Sequence, residues 1–337
     1  MARMIFIGLL TFFAIACIGI GFGMYYWMKR TMVDGQPIID RSVNEQTRTD
    51  KMGIGELLVY VSLIVIAALL AISVMQEGGS GSAILAKAIL LPAVMVLFNA
   101  RKRTGKAMLA LVISFMVVLF LMMANLLIGL PQKPPVLTIN NVPVTVAKTT
   151  VTDLIGSGFD IYVKRANSPG LDYKDMLSSG SYEKYPTNRS IAVEKGFHIV
   201  NDAIPYSNYL LVKNGVVLGS VGLYGDEMKD TVLEDCRIIS FRLDEDCIAA
   251  AKENSISYKL NNMDLLATLE KETLEKKFGE NLWSVPRNLT DITQLYYGLK
   301  WTNNSDHIFW NEYYATIRFD KENYMTFFEL FGEIARE

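Results

Sequence analysis

"LFNARKRTGKAMLAL", residues 97–111, sets four basic side chains, Arg101, Lys102, Arg103 and Lys106, between two runs of apolar residues. An ionised side chain at the centre of a bilayer costs about 3 kcal/mol or more. The segment therefore reads as a loop between two membrane segments, and the side on which it lies decides where the following 200 or so residues fold.

Working outward, four stretches have the length and composition of membrane spans: residues 4–28, 57–75, 83–99 and 107–130. About 20 apolar residues cross a hydrocarbon core of about 30 Å. The third run is short and holds Lys87 and Pro92, but Lys87 stands one turn from its start and can reach the interface. Residues 29–56 carry Lys29, Arg30, Arg41, Arg48 and Lys51, whereas "QEGGSGS" at 76–82 carries no Lys or Arg. The excess of Lys and Arg marks cytoplasmic loops, so loops 29–56 and 100–106 are expected inside. Four spans then place the N-terminus outside, together with everything beyond Leu130. A cleaved or lipidated leader ending at "AIAC" (14–17) is the competing reading of the first run. Against it, apolar sequence continues past Cys17 to "MYYWMKR" (24–30), an aromatic belt followed by a basic stop. Apart from Lys87 the spans hold no ionisable residue, which disfavours a transport path and makes a membrane anchor the default.

The chain is 51% hydrophobic, yet its mean hydropathy is only +0.23, so two unlike parts are averaged. Residues 1–130 hold 11 Lys/Arg and 6 Asp/Glu, and the remainder holds 22 and 29. The distal part is thus acidic and lacks the basic footprint of a nucleic-acid binder.

Residues 131–137, opening with "PQKPP", cannot continue a helix and read as an extended linker to the bilayer. Beyond it "VLTINNVPVTV" (136–146) and "NYLLVKNGVVLGSVGLY" (208–224) alternate as strands do, and Lys213-Asn214-Gly215 is a hairpin signal. Two short helices are expected, one capped by Thr150 with Asp153 three residues on, the other capped by Thr268, with Lys276 and Lys277 in its last turn and Gly279 as its stop. The fold expected is membrane-anchored α+β: four transmembrane helices, then two helix-on-antiparallel-sheet modules at 138–243 and 254–337, with a break near 244–254.

The phrases "TTVTDLIGSGFDIYV", "NYLLVKNGVVLGSVGLYGDEMKDTVLEDCRIISF" and "LEKETLEKKFGE" resemble extracytoplasmic domains of uncharacterised cell-envelope proteins and lipoproteins of Gram-positive, Clostridia-like bacteria. Those domains are in turn similar to tandem α/β modules of the beta-lactamase inhibitor-like kind. The resemblance covers residues 138–337 and one of its features is the lack of a catalytic signature. It implies a helix packed on a curved antiparallel sheet, twice over, with partner binding by the sheet.

Catalytic chemistry has little to draw on. His198 and His307 are the chain's two histidines and neither has a Cys or His close in sequence, so no metal site is expected, and no cofactor-binding or catalytic motif occurs. The acidic stretches 226–236 and 244–246 lack the spacing of a calcium loop and read as solvated surface. Cys236 and Cys247 flank "RIISFRL", which reads as a strand too long for its flanking thiols to meet, so buried free thiols are expected.

The remaining feature is aromatic density over 283–331. Alternation in "FWNEYYATIRF" sends Phe309, Tyr313, Ala315, Ile317 and Phe319 to one face and Trp310, Tyr314, Thr316 and Arg318 to the other. In "LYYGLKW" it sets Tyr296 and Lys300 opposite to Tyr297, Leu299 and Trp301. Tyr, Trp and Arg are the residues that interfaces enrich, so Tyr296, Lys300, Trp310, Tyr314, Thr316 and Arg318 form the expected partner surface. The function expected is a non-catalytic, membrane-anchored extracytoplasmic binding or sensing protein of a bacterial envelope, meeting the lipid bilayer and an extracytoplasmic protein or cell-wall ligand. The alternative is an accessory subunit of a membrane complex that binds partner helices through its spans.

Overall fold

The computed structural model describes residues 2–41, 131–165, 173–186, 191–193, 197–198, 208–284, 295–302 and 308–335, with isolated positions between 61 and 128. The chain divides into two compact units, residues 1–130 and 131–336.

The N-terminal unit opens with α1 (Ala2–Arg30), whose last turn carries Lys29 and Arg30, the sign that its C-terminal dipole favours. Met4, Phe12, Phe22 and Trp27 on it are 78%, 74%, 71% and 60% exposed, a surface suited to lipid. Among the described residues α1 is the one helix long and apolar enough to cross a membrane. The expected spans 57–75 and 83–99 lie outside the described residues except for Val61 and Val65, both helical; of 107–130, eight scattered positions are described, all helical.

After α1 the chain turns back through β1 (Met32–Val33) and β2 (Gln36–Pro37). The turn residues Asp34 and Gly35 have φ of 51° and 77°, as a two-residue hairpin requires. Arg41 pairs with Asp34 at 2.7 Å and Lys106 with Asp40 at 2.5 Å, while the Gly105 amide donates to the Arg41 carbonyl at 3.1 Å. Gly105 runs so close to the Ile38 and Ile39 backbone that any Cβ would collide with it. Part of the basic loop 29–56 is therefore a folded hairpin on the residues that open the last apolar run.

In chain order the C-terminal unit continues with β3 (Val136–Ile139), β4 (Val142–Thr145), α2 (Val151–Gly156), β5 (Asp160–Lys164), β6 (Tyr182–Lys184), β7 (Ala192–Val193), β8 (Phe197–His198), β9 (Tyr209–Lys213), β10 (Val216–Tyr224) and β11 (Thr231–Val232). There follow β12 (Arg237–Leu243), α3 (Glu245–Glu253), β13 (Tyr258–Leu260), β14 (Met263–Asp264), α4 (Lys271–Phe278), β15 (Leu282–Ser284), β16 (Leu295–Trp301), β17 (Glu312–Phe319) and β18 (Met325–Glu333). The unit is mixed α+β and rich in sheet.

Ten strands form one antiparallel sheet, ordered β15-β16-β17-β18-β12-β10-β9-β5-β6, with β8 against β10. Its seam is β12 against β18, where Phe241 faces Leu330 and Arg242 faces Glu329. A second sheet joins hairpins β3-β4 and β13-β14 through β3 and β13. Both hairpins turn on Asn-Asn pairs with matching positive φ, 46° and 68° at Asn140-Asn141, 47° and 67° at Asn261-Asn262. The Asn140 Oδ1 accepts from the Ser257 amide and the Asn261 Oδ1 accepts from the Val136 amide, each at 2.9 Å. The same device thus ties each hairpin to the other.

One face of the large sheet carries the core: Ile161, Leu211, Phe241, Leu299, Ile317, Phe328 and Leu330 are buried on it. The α4 helix is fixed beside it by Phe278, edge-on to Trp301 at 6.2 Å. Thr150 and Asp153 cap α2 reciprocally, as the sequence predicts. The hairpin at Asn214-Gly215 forms with φ of 52° and 78°, and the turn between β17 and β18 falls at 320–323, where the Asp320 carboxylate accepts from the Glu322 and Tyr324 amides.

Four local expectations are corrected. The break expected at 244–254 is α3, with the Asp244 carboxylate accepting from the Cys247 amide at its start. Thr268 caps nothing: α4 starts at Lys271 after Glu270, with no side-chain cap bond, and the Leu269 N–H just before it donates instead to the Asn323 carbonyl. The linker expected at 131–137 ends before Val136, where the strand expected from 136 begins. The stretches 138–243 and 254–337 do not keep separate sheets, since they meet strand to strand at the β12-β18 seam.

Candidate functional site

The second face of the large sheet can be assembled row by row from the strand register. In one row Lys300 faces Tyr314, Tyr314 faces Phe331, Phe331 faces Ser240 and Ser240 faces Gly222. In the next, Gly298 faces Thr316, Thr316 faces Glu329, Glu329 faces Arg242 and Arg242 faces Ser220. In the third, Tyr296 faces Arg318 and Arg318 faces Phe327. Alternation sets these side chains on the face opposite Phe241, Ile317 and Leu330; toward β10 and β12 that face is itself buried, with Ser220 and Ser240 2% and 1% exposed.

Five of the six expected partner residues, Tyr296, Lys300, Tyr314, Thr316 and Arg318, stand together on this lattice. Tyr296, Lys300 and Arg318 are exposed, while Tyr314 and Thr316 are half-buried. Their neighbours Tyr297, Leu299, Trp301, Tyr313, Ala315, Ile317 and Phe319 are buried, as strand parity requires. Trp310 is half-buried but lies in a bend before β17, outside the strand pairing.

The lattice also gathers residues that alternation within single strands could not bring in, because they come from β12 and β18. The Tyr314 ring stacks on Phe331 at 5.1 Å, interplanar angle 18°, and its hydroxyl donates to Glu312 at 2.9 Å. Glu312 is 2% exposed, a buried carboxylate held by a hydrogen bond. The guanidinium groups of Arg318 and Arg242 lie 4.5 and 4.9 Å from the Phe327 ring centre. Nε and Nη1 of Arg242 and the hydroxyl of Ser240 are buried without a hydrogen-bond partner.

Other candidates for chemistry resolve into structural roles. Among the described residues no three His, Cys, Asp or Glu gather as metal ligands would. His198 lies in β8, opposite Leu223, and His307 is outside the described residues. In the acidic stretch 226–236, Asp226 accepts from the Met228 and Lys229 amides, closing its own turn, and Glu234 accepts from the Tyr185 hydroxyl. Cys236 and Cys247 are free, buried thiols. Burial pushes Cys236 up to about 11 and Cys247 well above the ordinary thiol range, with the Asp235 and Asp244 charges adding to it respectively, so neither is a nucleophile at neutral pH.

Compared with models of known protein families, with curated proteins and with solved structures, the chain matches none. The site therefore rests on its own geometry.

Proposed function

We propose that this chain is a non-catalytic, membrane-anchored binding or sensing protein of a bacterial envelope, whose distal unit works outside the membrane and presents the second face of its ten-stranded sheet to a partner. In this reading the N-terminal unit spans the bilayer four times, with loops 29–56 and 100–106 in the cytoplasm. The stretches 138–243 and 254–337 act as two like modules joined at the β12-β18 seam. The resemblance to Gram-positive envelope proteins agrees with a partner in the envelope, a protein or a cell-wall ligand.

The observation that carries this reading is the pattern of exposure on the sheet. An antiparallel sheet with one face packed on a core ordinarily turns a solvated polar face outward. Here the outward face instead sets Tyr296, Tyr314, Phe327 and Phe331 among Arg242, Lys300 and Arg318, the mixture that recognition surfaces enrich. Tyr296 and Trp283 are 46% and 58% exposed, a cost in water that a partner would relieve.

Photo-crosslinking in living cells tests it. A crosslinking side chain at Tyr296 or Lys300 of the full chain is expected to trap a discrete partner, and one at Met228, exposed on a remote turn, is expected to trap none. Equal labelling at the three positions would refute the surface. The accessory-subunit alternative predicts crosslinks confined to residues 1–130.

A further inference from the structure

We propose that the N-terminal unit holds a binding site for one anionic phospholipid, with an acyl chain in the groove between α1 and the last apolar run and the headgroup at Lys29 and Arg30. The inference rests on the reading of that unit as membrane-embedded and names a lipid that it selects.

Three observations carry it. First, α1 and the helical positions that follow Gly105 lie side by side and antiparallel. Met28 and Leu109 share one buried cluster, a Cβ at Gly21 would touch Ile113, and Phe13 stacks on Phe120 at 6.2 Å. Between them runs a groove of about 570 Å³, lined by Cys17, Gly21 and Tyr25 on one side and by Leu109, Ile113 and Phe120 on the other. Ligand sites span about 300–1,000 Å³. A second helix, about 10 Å across and about 16 Å long over the stretch from Ala14 to Tyr25, would need about twice the volume of the groove. An apolar void holds no water and forfeits dispersion contacts along its walls; in a bilayer a hydrocarbon chain restores them.

Second, the groove ends in charge. Tyr25 lines its end, and Lys29, one turn further along the same helix face, sets its ammonium 6.0 Å from the Tyr25 ring centre. Arg30 follows, 5.0 Å from the Tyr26 ring centre. Aromatic residues followed by basic ones mark the level of lipid headgroups.

Third, these two cations are the ones that this end leaves available. Arg41 and Lys106 meet Asp34 and Asp40, whereas among the described residues Lys29 and Arg30 are in no ion pair, and both are exposed. A headgroup can therefore reach them. A zwitterionic headgroup brings no net charge to complement theirs and an anionic one does, as in the basic pockets between membrane helices that hold anionic lipids.

Native mass spectrometry of the full chain, released from detergent micelles doped equally with phosphatidylglycerol and phosphatidylcholine of the same acyl chains, tests this. The chain is expected to retain one phosphatidylglycerol in about 25-fold preference, about fivefold for each cation. Lys29→Gln and Arg30→Gln should each lower that preference about fivefold, and Lys29→Arg should keep it. Arg3→Gln, at the opposite end of α1, should also leave it unchanged. Gly21→Leu, which fills the groove beside Ile113, should lower retention of both lipids severalfold; should it part the two helices, the exposed Lys29 variants still decide. Equal retention of the two lipids by the unaltered chain, an undiminished preference in Lys29→Gln, an equal loss in Arg3→Gln, or a dimer of the chain in place of bound lipid would each overturn the site. The membrane reading has its own readout: a chain that resists carbonate extraction yet shows no lipid preference keeps its anchor and loses only the lipid site.

Discussion

Tyr313 and Tyr314 are chain neighbours with opposite surroundings, and the difference follows from the two-residue period of a strand. Tyr313 is 3% exposed, so Tyr313→Ala should cost about 3 kcal/mol or more through the cavity it leaves, as should Phe319→Ala. Tyr314 is held by a ring stack and by a hydrogen bond to a buried carboxylate. Tyr314→Phe keeps the stack, removes that bond to Glu312 and should cost about 1 kcal/mol. Tyr296→Ala, at a position 46% exposed, should change stability by less than about 0.5 kcal/mol. Denaturant titration of the four variants checks the order. At α2, the Thr150 amide and hydroxyl hold Asp153 below its ordinary value of 3.8. The capping contribution is therefore full above pH 3.8 and is lost as pH falls through the lower folded value. Asp153→Ala, costing about 1 kcal/mol at neutral pH, should lose most of its effect in strong acid. An Asp153→Ala penalty unchanged at pH 2 would remove the carboxylate half of the capping box from the account of stability. Strand parity separated Tyr296, Lys300, Tyr314, Thr316 and Arg318 from the buried Tyr297, Leu299, Trp301, Tyr313, Ala315, Ile317 and Phe319; it could not place Arg242, Phe327 or Phe331, because a cross-strand neighbour is fixed by register, and register depends on which distant strands meet.

Among the elements, those written in local chemistry were legible: the Asn214-Gly215 hairpin, the Thr150 cap and the turn at Asp320. The α3 helix was missed although its signals are present. Asp244 is a capping residue, "IAAAK" favours helix and Lys252 suits the last turn, but the clustered charges at its start read as a solvated break. Thr268 failed in the opposite sense, a good local cap that α4 leaves unused, with Leu269 bonded instead to distant Asn323. The two Asn-Asn hairpins show a longer-range device. Asn140→Ala and Asn261→Ala each remove a side-chain bond to the other hairpin and place Ala at positive φ, so each should cost about 2 kcal/mol. Gly219 marks a bulge where β10 shifts register on β9. With φ of 153° and a Cβ position 2.7 Å from the Arg242 carbonyl, Gly219→Ala should cost about 3 kcal/mol and disturb Arg242 from behind. An unaltered melting curve for Gly219→Ala would show that the bulge gives way cheaply.

At the scale of the whole molecule, the division near Leu130 was legible because water and lipid demand different compositions, and charge and hydropathy change together there. The joining of the distal halves into one sheet was not, since strand pairing across more than 80 residues, as between Phe241 and Leu330, leaves no local mark. Side chains of α1 such as Met4, Phe12 and Phe22 are exposed, as a lipid-contacting helix requires, and the acidic, sheet-rich unit carries the proposed partner surface. The reading stands or falls on where that unit lies. A reporter enzyme active only outside the membrane, fused after Glu337 and separately at Arg103, decides this most directly: activity at Glu337 with silence at Arg103 is the expected result, and the reverse pattern would contradict an outward-facing sheet.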